Sequence, residues 1–412
     1  MNTTSTITND SASGQAKKNS LEPLLHLSAL DGFRGLLAMW VYLGHLSNAV
    51  GFKNYVLGMH ALAVDLFMIL SGFLMVYTWK TAISIEHSFS FSLRHNAYPF
   101  YANRFFRIAP LYFLLLLICY CFLTELAEMH DYAQKLIPPP WAEKISNFNP
   151  QTLWDFASFK WLFLHGTFTF GAIPGMESTT PLPDWSLSLE MQFYLIMPLL
   201  LLLLGQMPII LLAIITAVLA LNAPSLFGSY LNPGSIAHFG QPSFIAFRLN
   251  AFMAGMVVAF WLRDSQLSKP SLKTNVFTVL SGLICILPLS KPVILGYVIF
   301  VVLVLYRVPS LNKALSIKPL RFLGDVSYSL YLSHLLIIIP VVYWLLQQPD
   351  FMSLSSLMRF GLALGITAPL IILVSYILFR GIEIPSIRMG KYFLSQSAVM
   401  IRYRNQDDSL SR

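Results

Sequence analysis

Charged side chains are what this sequence has least of. Asp, Glu, Lys and Arg together make up 11% of its 412 residues, while 56% are hydrophobic. An ordinary soluble domain is roughly 25% charged, so a soluble globule of this length could not cover its surface. Cysteine is nearly absent too. Cys119, Cys121 and Cys285 all lie in apolar segments, which argues against a disulfide or metal framework and for packing residues. The chain has no internal repeat of the kind that marks many transporters. It also shows no cleavable signal peptide, because residues 1–22 are rich in Ser, Thr, Asn and Lys without an apolar stretch. The tail 1–27 is expected to be disordered and cytoplasmic, and the first apolar segment, near Leu30, to act as the insertion signal.

Apolar runs close to the ~20 residues that cross a ~30 Å hydrocarbon core recur throughout. They predict an all-α, polytopic transmembrane helix bundle of about ten spans. These are read at 30–50, 59–79, 108–125, 186–204, 207–222, 244–262, 274–289, 292–307, 326–346 and 358–380. The segment 156–170 is short, carries Lys160 and His165, and is read as interfacial or re-entrant. The membrane domain is expected over 28–390, followed by a polar cytoplasmic tail, 391–412, with no further soluble domain.

Charge sets the orientation. With the N-terminus inside, nineteen Lys and Arg fall in inner segments, among them Lys80, Arg94, Arg263, Arg321 and Arg388. Only Lys53, Lys135, Lys144, Lys160 and Lys291 fall in outer loops. This asymmetry places both termini in the cytoplasm. It also explains the formal charge of +8 without a nucleic-acid partner. The larger outer segments, 126–185 and 223–243, read equally well as a binding mouth or as connectors.

Ionisable residues within spans are costly and mark function. Arg34 lies near the inner end of the first span, and His45 lies eleven residues later, about 16 Å further along a helix. Counted from the span ends, His45, Asp65, Glu190 and Arg248 form an outer layer, and Arg34, Arg104 and Arg107 an inner one. His45 is either a core histidine satisfied by a neighbour or an acid–base residue oriented by Asp65 and Glu190. Those two carboxylates could equally pair with Arg248 for packing. Arg104 and Arg107, at i,i+3 spacing on one helix face, are with Arg34 either topological anchors or a phosphate site.

Several strings in order carry a family resemblance. They are Leu30-Asp31-Gly32-Phe33-Arg34-Gly35 with Gly44-His45; Val64-Asp65-Leu66-Phe67 with Leu70-Ser71-Gly72-Phe73; and Arg104-Phe105-Phe106-Arg107-Ile108-Ala109-Pro110-Leu111-Tyr112. Further on come Trp185-Ser186-Leu187-Ser188-Leu189-Glu190-Met191-Gln192-Phe193-Tyr194, Ser327-Tyr328-Ser329-Leu330-Tyr331-Leu332-Ser333-His334 and Ile382-Glu383-Ile384-Pro385. Over about 28–390 the chain resembles the acyltransferase family 3 membrane proteins, of the stand-alone class without a fused SGNH-type hydrolase domain. It departs in having Met191 where a second carboxylate often follows the position of Glu190, and Ala109 where Tyr often precedes the Pro.

The resemblance implies an enzyme that moves an acyl group, usually acetyl, from cytoplasmic acyl-CoA to a hydroxyl. The acceptor implied is a cell-surface glycan or lipid-linked glycan, such as lipopolysaccharide or exopolysaccharide, at a bacterial inner membrane. It implies His45 as the catalytic residue, with Glu190 and Asp65 assisting, and Arg34, Arg104 and Arg107 binding the phosphates of acyl-CoA. No metal is expected. The donor acyl chain and the choice between direct transfer and an acyl-histidine intermediate stay open. Two alternatives remain beside it: an acyltransferase for a small lipophilic metabolite, and a proton-coupled transporter using the intramembrane His, Asp and Glu as a relay.

Overall fold

The computed structural model describes residues 28–79, 89–137, 159–228, 237–267, 272–306 and 308–395. The described residues form helices and connecting loops, with no β-strand among them. In order they are α1 (Ser28–Ala49), α2 (Tyr55–Gly58), α3 (Ala61–Thr78), α4 (Phe89–Cys121), α5 (Leu123–Leu136) and α6 (Phe159–Gly166). Then come α7 (Trp185–Gln206), α8 (Ile209–Phe227), α9 (Leu249–Leu267), α10 (Leu272–Ile286) and α11 (Lys291–Val301). The last four are α12 (Pro309–Leu315), α13 (Lys318–Asp325), α14 (Ser327–Leu346) and α15 (Ser356–Leu378). A π-helical turn, Phe379–Glu383, follows α15, and the helical path continues to Ser395, into the segment expected to be a polar tail. The tail 1–27 lies outside the described residues, as does 396–412.

Local chemistry accounts for several boundaries. Asn54 accepts the Leu57 N–H at 3.1 Å to start α2, and the Ser355 hydroxyl accepts the Met358 N–H at 3.3 Å to start α15. Pro stands in the first turn of α11, α12 and α13, where its missing N–H costs nothing. Pro110, Pro198, Pro340 and Pro369 instead sit inside long helices. Such positions are tolerated in membrane helices because neighbouring groups satisfy the freed carbonyls.

Apolar side chains cover the outside as well as the core. Leu211, Ile214, Val218 and Leu221 of α8, Leu195 and Leu199 of α7, and Leu362, Leu373 and Ile377 of α15 are all exposed. A soluble surface does not carry such a belt; together with the long apolar helices it makes this a multi-pass membrane protein.

The expected number of spans is not reached by length and composition. Each of the ten expected segments overlaps a helix, but among the described residues six helices are long and apolar enough: Ala61–Thr78, Ala97–Cys121, Trp185–Leu204, Ile209–Phe227, Ser327–Leu346 and Ser356–Ser395. A seventh arises if Lys291–Val304 and Pro309–Leu315 count as one bent span. The shortfall has two causes. α1 carries Asp31, Arg34 and His45 within its 22 residues. The apolar parts of α9 and α10, Leu249–Leu262 and Asn275–Ile286, are too short to cross a ~30 Å core. Within 156–170, α6 has 8 residues and a rise of about 12 Å, so it does not cross either.

The bundle is tied by two close crossings. α3 and α9 meet where a β-carbon at Gly72 would overlap the Phe252 carbonyl oxygen and one at Gly255 would overlap the Ile69 carbonyl oxygen. α1 meets the end of α12 and α13 in the same way, Gly32 against the Leu315 carbonyl of α12 and Gly324 of α13 against the Asp31 carbonyl. Small residues let apolar helices approach where no hydrophobic force favours protein over lipid. Beside the first crossing, Arg248 donates from Nε to Asp65 Oδ1 at 2.8 Å, fastening α3 to the residue before α9.

Gly255→Val should therefore force α3 and α9 apart. Overpacking of this kind costs about 1–3 kcal/mol, read as a lower thermal midpoint in detergent. Gly365→Val on α15, where a β-carbon meets nothing within 4 Å, should melt like the parent protein.

Candidate active site

Two cavities lie back to back inside the bundle. The first, about 150 Å³, is lined by Arg34, Arg104, Arg107, Ser71, Glu190 and Tyr194, with Met68, Leu74, Met75 and Phe252 as an apolar side. Arg34 is largely engaged by the fold. Its Nε donates to Ser327 Oγ at 2.9 Å and to the Gly324 carbonyl at 3.1 Å, and Nη2 donates to the same carbonyl at 2.5 Å. Asp31 lies 3.7 Å from it.

Arg104 is held differently. Its guanidinium sits 5.8 Å from the ring centres of both Phe100 and Tyr194, and its Nε is buried with no hydrogen-bond partner. A buried guanidinium N–H without a partner is costly, and an anion in the cavity would satisfy it. Glu190 accepts from Ser71 Oγ at 2.9 Å and from the Tyr194 hydroxyl. The π turn after α15 brings in Glu383, which accepts from Ser329 Oγ and interacts electrostatically with Arg107 and Arg34.

The second cavity, about 330 Å³, is lined by His45, His60, His130, Glu177, Trp185 and Gln241, among others. His45 Nδ1 lies 3.0 Å from His334 Nε2, and the His45 and His60 rings meet edge-on with centroids 4.6 Å apart. Gly44 makes that approach possible, since a β-carbon there would overlap the His60 ring. His60 Nδ1 is anchored to the Leu57 carbonyl at 2.9 Å. In the loops, Glu177 accepts the Gly240 N–H. Burial pushes the Glu177 carboxyl above its ordinary range and the His130 imidazole below its own. Both shifts run toward the uncharged forms.

Among the described residues, Val64 and Tyr331 line both cavities. Tyr331 is latched there by a 2.7 Å hydrogen bond between its hydroxyl and that of Ser186.

The expected outer layer is not assembled. His45 faces the second cavity, but neither carboxylate joins it. Asp65 is taken by Arg248 and lines neither cavity; Glu190 lies with the arginines. Depth was counted from the helix end, and α7 does not begin at the edge of the bundle. Asp184 and Leu187 are buried. The chain enters α7 from within, along a loop pinned by Asp184 Oδ2, which accepts from Thr180 Oγ1 at 2.9 Å and from the Tyr112 hydroxyl at 3.2 Å. His165, expected in a re-entrant segment, closes this buried knot at 3.5 Å from Asp184.

Arg34, Arg104 and Arg107 do come together as expected. His60, His334, Tyr194 and Glu383 were not expected at the site. The rule that singled out His45, an ionisable residue inside an apolar helix, applies equally to His334 and Glu383.

Comparison with known proteins follows the same helices. The profile of the acyltransferase 3 family, described as an acyltransferase domain, matches residues 27–380. The peptidoglycan O-acetyltransferase OatA of Listeria monocytogenes serovar 1/2a is 26% identical over 336 residues, 75% of this chain and 49% of the relative. The chain thus spans about half the length of that curated relative. No solved structure matches. Because the profile match runs through every helix that lines either cavity, the chain belongs to the acyltransferase 3 family.

Proposed function

We propose that the protein is a membrane O-acyltransferase, transferring acetyl in the first instance from acyl-CoA to a hydroxyl of a cell-surface glycan. The observation that carries this reading is the pair of cavities, one cationic and one lined by histidines, with Val64 and Tyr331 lining both. Coenzyme A bears phosphates, which bind best to guanidinium groups through charge-assisted and often bidentate bonds. Arg104, with its unpartnered Nε, and Arg107 are the groups available for them, while Arg34 spends most of its donors on Gly324 and Ser327. The apolar side of the same cavity suits the pantetheine arm. In this reading the membrane is a bacterial inner membrane, and the charge asymmetry of the loops turns this cavity toward the cytoplasm.

The acceptor side supports a sugar. Trp185 offers an aromatic face, and Gln241, His60 and a neutral-leaning Glu177 offer hydrogen bonds in the roomier cavity. The OatA relative carries the name of a peptidoglycan O-acetyltransferase, which favours a glycan over a small lipophilic metabolite. His45 is the reacting group in this scheme. It takes the hydroxyl proton as the acceptor oxygen attacks the thioester carbonyl, the C–S bond breaks, and the proton passes to the departing thiolate. An acyl-histidine intermediate would use the same nitrogen first as nucleophile. Glu190 belongs to the donor side, holding Tyr194 beside Arg104. Asp65 has a packing role through Arg248.

Two measurements test this. His45→Ala should abolish transfer of radiolabelled acetyl from acetyl-CoA to an envelope glycan while the protein accumulates to parental levels; a well-expressed variant with most of its activity would sink the scheme. Arg107→Lys keeps the charge but loses the forked geometry. Losing one hydrogen bond to a charged group costs about 1.5–3 kcal/mol, roughly ten- to a hundred-fold in affinity. The Michaelis constant for acetyl-CoA should rise by that factor while that for the acceptor stays constant. Unaltered donor kinetics would leave the arginines as topological anchors only.

A further inference from the structure

His334 is the nearest polar partner of His45 and stands 289 positions away in sequence. Its Nδ1 lies 2.7 Å from the Tyr331 carbonyl oxygen and 3.2 Å from that of Leu330. Carbonyl oxygens only accept, so this nitrogen carries a proton. His334 is fully buried on α14, and the titratable groups acting on His45 are three histidines: His60, His334 and His130. A second proton on His334 would place an unpaired cation among them, at a high desolvation cost. His334 is therefore neutral, and its Nε2 presents a lone pair to His45 Nδ1 at 3.0 Å. Two lone pairs do not face one another at that distance, so His45 Nδ1 holds the hydrogen. The lone pair of His45 is left on Nε2.

We propose that His334 is the positioning residue of the transfer reaction: a neutral imidazole, anchored by the Tyr331 and Leu330 carbonyls, that fixes His45 in the tautomer with a free Nε2. A carboxylate usually orients a catalytic histidine; here Asp65 is committed to Arg248 and Glu190 to Ser71 and Tyr194, and an imidazole takes that place.

The inference rests on His45 being the reacting base. When His45 Nε2 takes the acceptor's hydroxyl proton, the O–H bond breaks, the oxygen bonds to the acyl carbon, and the C–S bond to coenzyme A breaks. The resulting imidazolium keeps its Nδ1–H bond to His334, whose dipole is aligned by the carbonyls behind it. The proton then leaves Nε2 for the thiolate. His334 neither gains nor loses a proton in the cycle. It binds through the backbone of Tyr331, a residue that lines both cavities, so the base is tied to a residue the two cavities share.

The test separates orientation from packing. His334→Phe preserves a buried ring without the acceptor nitrogen; His334→Gln places an amide oxygen near the former Nε2. With acetyl-CoA as donor, the Phe variant should lose about a hundred-fold or more in kcat, the range of general-base catalysis, with donor KM unchanged. The Gln variant should recover at least about ten-fold of that loss, as expected when a hydrogen-bond acceptor is restored. Nitrogen-15 spectra of histidine-labelled parent protein in nanodiscs should show His45 as the Nδ1–H tautomer, assigned by the signal missing in His45→Ala. The Phe variant should shift that signal toward Nε2–H. A parental His45 found as Nε2–H overturns the proposal even if no His334 variant folds. So does parental kcat in His334→Phe while His45→Ala is dead. Activity surviving in His45→Ala would instead overturn the underlying role of His45 and leave the tautomer spectrum unaffected.

Discussion

Every ionisable group placed among these helices has to find a partner inside the protein, because the surrounding apolar side chains offer none and water is largely excluded. Arg248 meets this with Asp65, Arg34 with the Gly324 carbonyl and Ser327, and His165 with Asp184 and Tyr112. The same requirement makes the remaining groups informative. Arg104 Nε is buried without a partner beside a cavity, and His45 has one ring nitrogen engaged and the other not.

The close crossings serve this arrangement. Gly72 and Gly255 bring α3 against α9, and the Asp65–Arg248 pair lies beside them. Gly32 brings α1 against the end of α12 and Gly324 brings α13 against α1, and the Gly324 carbonyl thereby comes within reach of Arg34. Backbone approach and side-chain satisfaction are thus coupled: a bulkier residue at either crossing would move an arginine as well as a helix. The buried loop before α7 does comparable work, since Asp184 fixes the point from which Trp185 reaches the histidine cavity and Glu190 the arginine cavity.

The two cavities divide the chemistry by charge. Three guanidinium groups line one, while the other is lined by imidazoles and a carboxyl that burial holds toward its neutral form. Tyr331 joins them three ways: it lines both cavities, its hydroxyl bonds Ser186, and its carbonyl lies 2.7 Å from His334 Nδ1.

Composition pointed to a membrane, because 11% charge leaves little to cover a soluble surface on a chain that is 56% hydrophobic, and the recurring apolar runs of about twenty residues made it helical. The ordered strings carried the family, and the rarity of charge within spans was enough to single out His45 and to group Arg34, Arg104 and Arg107. The partners of those residues were decided by tertiary structure. Position along a helix gives depth only if the helix starts at the membrane edge, and α7 starts inside, which moved Glu190 to the arginines. Spacing in sequence says nothing about which face of α14 meets α1, so the contact between His45 and His334 existed only once the helices had packed.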